Sequence, residues 1–300
     1  MLPLFSYIGC GGGKVEFVTL KINRKLVLIV AFFLAAVCLL SSFSVKQHIV
    51  KAAPKKSEET AAKTETKTEN SASDGIFREM KDKNGNDYFP KSDITVYLTF
   101  DDGPSKNTPQ ILSLLQKYGI GATFFVINGK YNNYMKDIVN SKSTIALHSY
   151  SHKYPEIYSS EKAFLDDLEK IHDLVKAETG VDTKIIRFPG GSSNTISRKY
   201  CKGIMTNLVK DTEDAGYIHF DWNCENGDAG GKNLSADYQI KKATKYPKNA
   251  KNIVILMHDI DICGVNLDAL SGIIDFYQAE GAHFGVITEN SPRVCHKVNN

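Results

Sequence analysis

From residue 91 onward the chain alternates short apolar runs with amphipathic segments: ITVYLTF, TPQILSLLQKYG, ATFFVI, and on to NIVILMHD and AHFGVI. Strand-length runs separated by helix-length amphipathic stretches fit few architectures, and the most direct is a parallel sheet with crossover helices. Seven strands are predicted, near residues 94–100, 122–127, 143–148, 184–188, 217–222, 252–258 and 283–288, with helices such as SEKAFLDDLEKIHDLVKAE between them. Every position from Ile253 to Met257 is apolar, as in a strand covered on both faces. A closed barrel and an open sheet both satisfy this α/β pattern.

The polar residues gather at one end of these strands. Asp101 and Asp102, His148, Arg187, Asp221 and His258 each stand at or just past the C-terminal end of a predicted strand, the rim on which parallel α/β folds build active sites. HSYSH places His148 and His152 four residues apart, so one turn after a strand end points both imidazoles to the same side. Joined by a carboxylate from the same rim, two neutral imidazoles suit Zn²⁺ and leave a position open for water, as in a catalytic site. The adjacent acids of TFDDGP repel one another. A cation ligated by one would relieve that repulsion and leave the other free as a base. Taken alone, Asp-Gly-Pro is ordinary turn chemistry, with an aspartate capping the next helix.

In order, TFDDGP, HSYSH, RFPGG, DWN and LMHD resemble the five motifs of the polysaccharide deacetylase family, also called the NodB homology domain or carbohydrate esterase family 4, over residues 91–290. The resemblance implies a distorted (β/α)7 barrel that removes acetyl groups from N-acetylated sugars at a divalent-metal site, Zn²⁺ first and Co²⁺ or another dication as substitutes. By motif position it implies Asp102, His148 and His152 as metal ligands and Asp101 as the general base, with Arg187 holding that base ionised and oriented. His258 would be the general acid and Asp221 would tune it. Trp222 and Leu256 would line the pocket for the acetyl methyl, and Pro189 and Gly190 would meet the substrate. Two departures stand out: RFPGGSSN differs from the proline or aromatic residue that many members carry around the arginine, and SKSTIALH lacks the glycine common before the second motif. Neither removes a proposed catalytic group.

Outside this region the chain reads differently. Leu26 to Phe43 is an 18-residue stretch without a charge, preceded by Lys21, Arg24 and Lys25, and it is long enough to cross a bilayer. Val50-Lys51-Ala52 offers a cleavage site for the competing signal-peptide reading. An uncleaved anchor is favoured because the stretch exceeds a usual signal core. The expected organisation is a short segment 1–25, an anchor 26–43, a disordered low-complexity linker 44–90, the catalytic domain 91–290 and a tail 291–300. The expected protein is a single-pass membrane monomer with its catalytic domain outside the cytoplasm, or a secreted one if 26–43 is removed. A formal charge of +3 with no basic stripe sets nucleic acid aside as a partner. The anchor and spacer favour peptidoglycan as substrate, at GlcNAc or MurNAc. Chitin-type oligomers, exported polysaccharides and xylan esters stay open, as do a non-catalytic wall-binding module and a metal-dependent glycosidase. Cys201, Cys224, Cys263 and Cys295 form no CxxC pair, and their pairing stays open. His172, His219 and His283 are expected to be scaffold.

Overall fold

The computed structural model describes residues 74–261 and 264–300. The expected anchor 26–43 lies outside them, and among the described residues no helix is long and apolar enough to cross a membrane. A hairpin, β1 (Met80–Lys81) and β2 (Asp87–Tyr88), opens the described chain. It corrects the linker expected to run to residue 90. Met80 is buried in the core, the Phe77 amide donates to the Phe284 carbonyl at 2.9 Å, and the Tyr88 hydroxyl donates to the Ala282 carbonyl at 2.8 Å. The surrounding Lys, Asp and Asn residues mask these few apolar anchors in any composition average.

Among the described residues, eight strands form one parallel sheet: β3 (Thr95–Asp101), β4 (Thr123–Ile127), β5 (Thr144–Ser149), β6 (Ile185–Ile186), β7 (Ile218–His219), β8 (Cys224–Glu225), β9 (Asn252–His258) and β10 (His283–Gly285). The order is β7-β6-β5-β4-β3-β9-β8, with β10 paired to the start of β3. All seven predicted strands are present. The eighth, β8, is two residues long, too short to show a period. The predicted 217–222 strand stops at His219, because the Asp221 amide turns away to the Val294 carbonyl at 2.8 Å.

Chain connectivity bends this sheet. β7 and β8 are its two ends in the pairing order, yet four residues, Phe220 to Asn223, join them. Seven strands laid flat at ~4.8 Å spacing would hold those ends ~29 Å apart, whereas so short a connection spans at most ~18 Å. The sheet must therefore curl, and among the described residues no ladder joins β7 to β8. The result is a curled half-barrel, an open form of the distorted (β/α)7 barrel expected. The C-terminal tail, 291–300, packs along this seam: the Val294 carbonyl accepts from the Asp221 amide, and Asn300 meets Gly203, Thr206 and Ser197.

Strand alternation sorts the core into two layers. Val96, Leu98 and Phe100 of β3, Ile145 and Leu147 of β5, and Ile253, Ile255 and Met257 of β9 face outward into one apolar cluster. That cluster meets the helices α1 (Thr108–Lys117), α2 (Met135–Asn140), α3 (Tyr154–Ile157), α4 (Glu161–Thr179), α5 (Ile204–Asp214), α6 (Ala236–Ala243) and α7 (Leu267–Ala279). Tyr97, Phe125, Ala146, Ile185 and Val254 face inward as a smaller cluster inside the curl. Both faces of the sheet are thus dry, which explains the unbroken apolar run of β9. Extending the inward register to the strand ends delivers Asp101, His148, Arg187 and His258 to a single mouth.

Candidate active site

Two adjacent aspartates on a strand should point to opposite faces, so Asp101 and Asp102 need a device to share a site. Asp101 is inward by alternation. Asp102 leaves the strand with a left-handed backbone, φ 68°, a region that aspartate tolerates better than most side chains. This turns its carboxylate toward the same mouth. The turn is packed tightly from behind: a Cβ on Gly103 would lie 2.7 Å from Asp259 Oδ2. Asp259 is itself held by the Ser105 and Thr108 hydroxyls, each at 2.5 Å.

Asp102, His148 and His152 present ligand atoms that all lie within 4.8 Å of one another. Asp102 Oδ1 is 3.4 Å from His148 Nε2 and 3.2 Å from His152 Nε2. The tautomer of His148 follows from its other nitrogen, Nδ1, which sits 2.7 Å from the Arg187 carbonyl. A carbonyl only accepts, so Nδ1 carries the hydrogen and Nε2 turns a lone pair toward Asp102. Asp102 Oδ1 is buried and, among the described residues, has no hydrogen-bond partner. Burial pushes the Asp102 carboxyl above its ordinary range, opposed by charge from His148, and pushes His148 and His152 below theirs against the pull of Asp101. Lone pairs converging on an unpartnered buried oxygen fit a divalent cation, and the donor set of one carboxylate and two imidazoles suits zinc.

The loop that carries the histidines is fixed by Asp167, which sequence reasoning missed. It accepts from the Ser149 hydroxyl at 2.6 Å and from the Tyr150 and Ser151 amides at 2.7 and 2.9 Å. Ser149 in turn accepts from the His152 amide at 2.9 Å. The signal was available: Asp167 lies on the buried stripe of α4 with Phe164, Leu168, Ile171 and Val175, where an acid needs a reason.

Arg187 is fully buried inside the curl. Nη1 donates to Asp101 Oδ1 and to the Thr99 hydroxyl, both at 2.8 Å. Nε and Nη2 donate to the Phe220 and Asp221 carbonyls at 3.0 Å, and the guanidinium lies 4.0 Å from the centre of the Phe125 ring. One residue thus orients Asp101 and ties β3 to the seam.

His258 is where expectation and structure part. Asp221, expected to tune it, is engaged elsewhere: its carboxylate accepts from the Ser192 amide and hydroxyl and from the His296 amide, at 2.8, 2.5 and 2.7 Å. It therefore clamps the third-motif loop to the C-terminal segment. Asp228 meets His258 instead, accepting from the backbone amide and pairing with Nδ1, both at 2.7 Å. Burial would depress His258, but the Asp228 hydrogen bond and charge, with Asp101 and Asp102 adding, push it up to about 9. The two-residue β8 and the Asn226-Gly227 turn set Asp228 in place, and neither has a period to read.

Among the expected pocket residues, Leu256 shares the inward face of β9 with His258 and stays 8% exposed. Trp222 packs on Gly191, and its aromatic partner is His296, at 4.8 Å. Pro189 is buried, with its carbonyl accepting from the Tyr158 hydroxyl at 2.7 Å, while Gly190 is exposed. Among the described residues Cys201, Cys224 and Cys295 form no disulfide, and Cys263 lies outside them.

The protein is a curled parallel α/β half-barrel with a carboxylate and imidazole cluster at its C-terminal mouth, and comparison with known proteins narrows this class. Residues 90–205 match the polysaccharide deacetylase family model. The catalytic domain of peptidoglycan N-acetylglucosamine deacetylase from Eubacterium rectale is 44% identical, with a TM-score of 0.65, covering 69% of this chain and 94% of that one. A Streptococcus mutans carbohydrate esterase of family 4 is 27% identical with a TM-score of 0.56, covering 66% of this chain and 87% of its own. A Bacillus cereus peptidoglycan-N-acetylglucosamine deacetylase is 26% identical over 65% of this chain and 70% of its own length. The chain belongs to the polysaccharide deacetylase family, carbohydrate esterase family 4.

Proposed function

We propose that this protein is a divalent-metal-dependent hydrolase, with zinc the first candidate, that removes N-acetyl groups from GlcNAc residues of peptidoglycan. The observation that carries the metal is the buried, unpartnered Asp102 Oδ1 between two imidazole nitrogens. The substrate reading is supported by the names of the Eubacterium rectale and Bacillus cereus relatives. It is also supported by the sequence of residues 26–43 and the spacer after them, which suit an enzyme tethered beside a wall.

Asp102, His148 and His152 would hold the cation. Bound there, a dication supplies Lewis acidity that polarises the acyl carbonyl and makes a water easier to deprotonate. Asp101, oriented by Arg187, accepts a proton from the attacking water. The new bond joins the water oxygen to the acyl carbon, and the C–N bond breaks. An amine leaves poorly unless protonated, and His258 delivers that proton from Nε2, because Nδ1 is held by Asp228. Leu256 offers an apolar neighbour for the methyl group.

The test uses the 300-residue chain with peptidoglycan and with N-acetylated chitooligosaccharides. Acetate release with loss of one acetyl mass from GlcNAc, stopped by chelator and restored by Zn²⁺ or Co²⁺, is the expected result. Sugar binding without acetate would instead mark a wall-binding module, and new reducing ends would mark a glycosidase.

A further inference from the structure

The roles above leave Tyr154 without a task. Tyr154 opens α3, two residues past His152, and its ring stands edge-on to the His152 ring at 5.6 Å and to the Tyr158 ring at 5.4 Å between centroids. The two tyrosines behave differently. Tyr158 is fully buried and gives its hydroxyl to the Pro189 carbonyl. Tyr154 is half-buried, and among the described residues its hydroxyl makes no hydrogen bond. That hydroxyl sits against Gly190 of the third motif, where a Cβ would approach it to 2.7 Å. The bare Cα of Gly190 is what leaves the phenol its place.

We propose that Tyr154 donates a hydrogen bond from Oη to the acyl oxygen of the substrate, the atom that gains negative charge as water attacks. The inference rests on the deacetylase reading above. A phenol keeps its proton at neutral pH, so Oη is available as a donor. A donor already in place where charge develops stabilises the transition state more than the ground state. Tyr154 lies between a metal-site imidazole and the third-motif loop. Its effect therefore falls on the chemical step.

Tyr154→Phe keeps the ring against His152 and removes only the hydroxyl. The zinc-loaded 300-residue protein and this variant are compared on tetra-N-acetylchitotetraose and by the affinity of acetohydroxamate, measured by calorimetry. The expected result is a kcat lower by on the order of 10- to 100-fold with KM unchanged, equal zinc content, and acetohydroxamate bound on the order of 10-fold more weakly. Unchanged kcat and unchanged acetohydroxamate affinity overturn the proposal. A raised KM with intact kcat also overturns it, in favour of a sugar contact, and zinc loss overturns it in favour of a loop-holding role. Should the unmodified protein release no acetate while Tyr154→Phe still weakens acetohydroxamate, the deacetylase reading falls and the hydroxyl contact stands.

Discussion

Replacing Asp228 with asparagine removes one charge and keeps the shape of the side chain that grips His258. The amide oxygen still accepts from Nδ1, so geometry is held while electrostatics change. His258 is raised from an ordinary 6.5 to about 9, against a burial effect that acts downward. At ~1.4 kcal/mol per unit, that rise is worth about 3 kcal/mol in favour of the protonated ring. Without the Asp228 charge, His258 returns to ~6.5 or below. At pH 8 the protonated fraction then falls from roughly nine-tenths to about 3%, so turnover in Asp228→Asn drops on the order of 30-fold at that pH. At pH 6 the gap closes to within a few-fold. The assay is the pH profile of kcat for acetate release, with the basic limb compared between the two proteins. A bound cation lowers both limbs alike, so the displacement between them is the test. Superimposed limbs, or a uniform loss with no displacement, would refute the assignment of His258 as the acid tuned by Asp228. The linkage has a definite sign: a raised imidazole stabilises the fold fully below about pH 6.5, and that contribution is lost as pH rises through about 9.

Three further outcomes follow from the same geometry. Asp102→Ala or His148→Ala should abolish zinc retention and acetate release together, read by elemental analysis alongside activity; zinc retained at full stoichiometry would contradict their place in the site. Asp101→Asn should keep zinc but slow turnover by roughly two or more orders of magnitude. Because it strips a fully buried Arg187 of its carboxylate partner, it should also cost about 3–5 kcal/mol of stability, seen as a Tm lower by on the order of 10 °C. Asp167→Asn should weaken zinc binding about 10- to 100-fold in a competition titration, as loss of an outer partner of metal ligands does. An unchanged zinc Kd there would show that the Ser149–His152 loop holds itself.

The strands β3, β5 and β9 were legible because an apolar run can be read one strand at a time. So was the meeting of Asp101, Asp102, His148 and His258 at one rim, since parallel strands bring their C-terminal ends together whatever their order. The turn after Asp102 was likewise local, but His148 and His152 meet through a loop in which His152 is left-handed, φ 53°, and not through the helical turn their spacing suggested. Asp228 could not be found that way. Its partnership with His258 spans thirty positions and depends on where a two-residue edge strand docks, which only the finished sheet decides. Asp221 illustrates the converse: its motif position implied a role at the acid, while the curl of the sheet carried it to the seam, where its carboxylate accepts from the amides of Ser192 and His296. Local patterns thus determined which residues face the mouth, because side-chain direction is set by backbone period. Which of them touch was decided by closure of the sheet, because the short span from Phe220 to Asn223 pulls distant strands together and no single strand records that constraint.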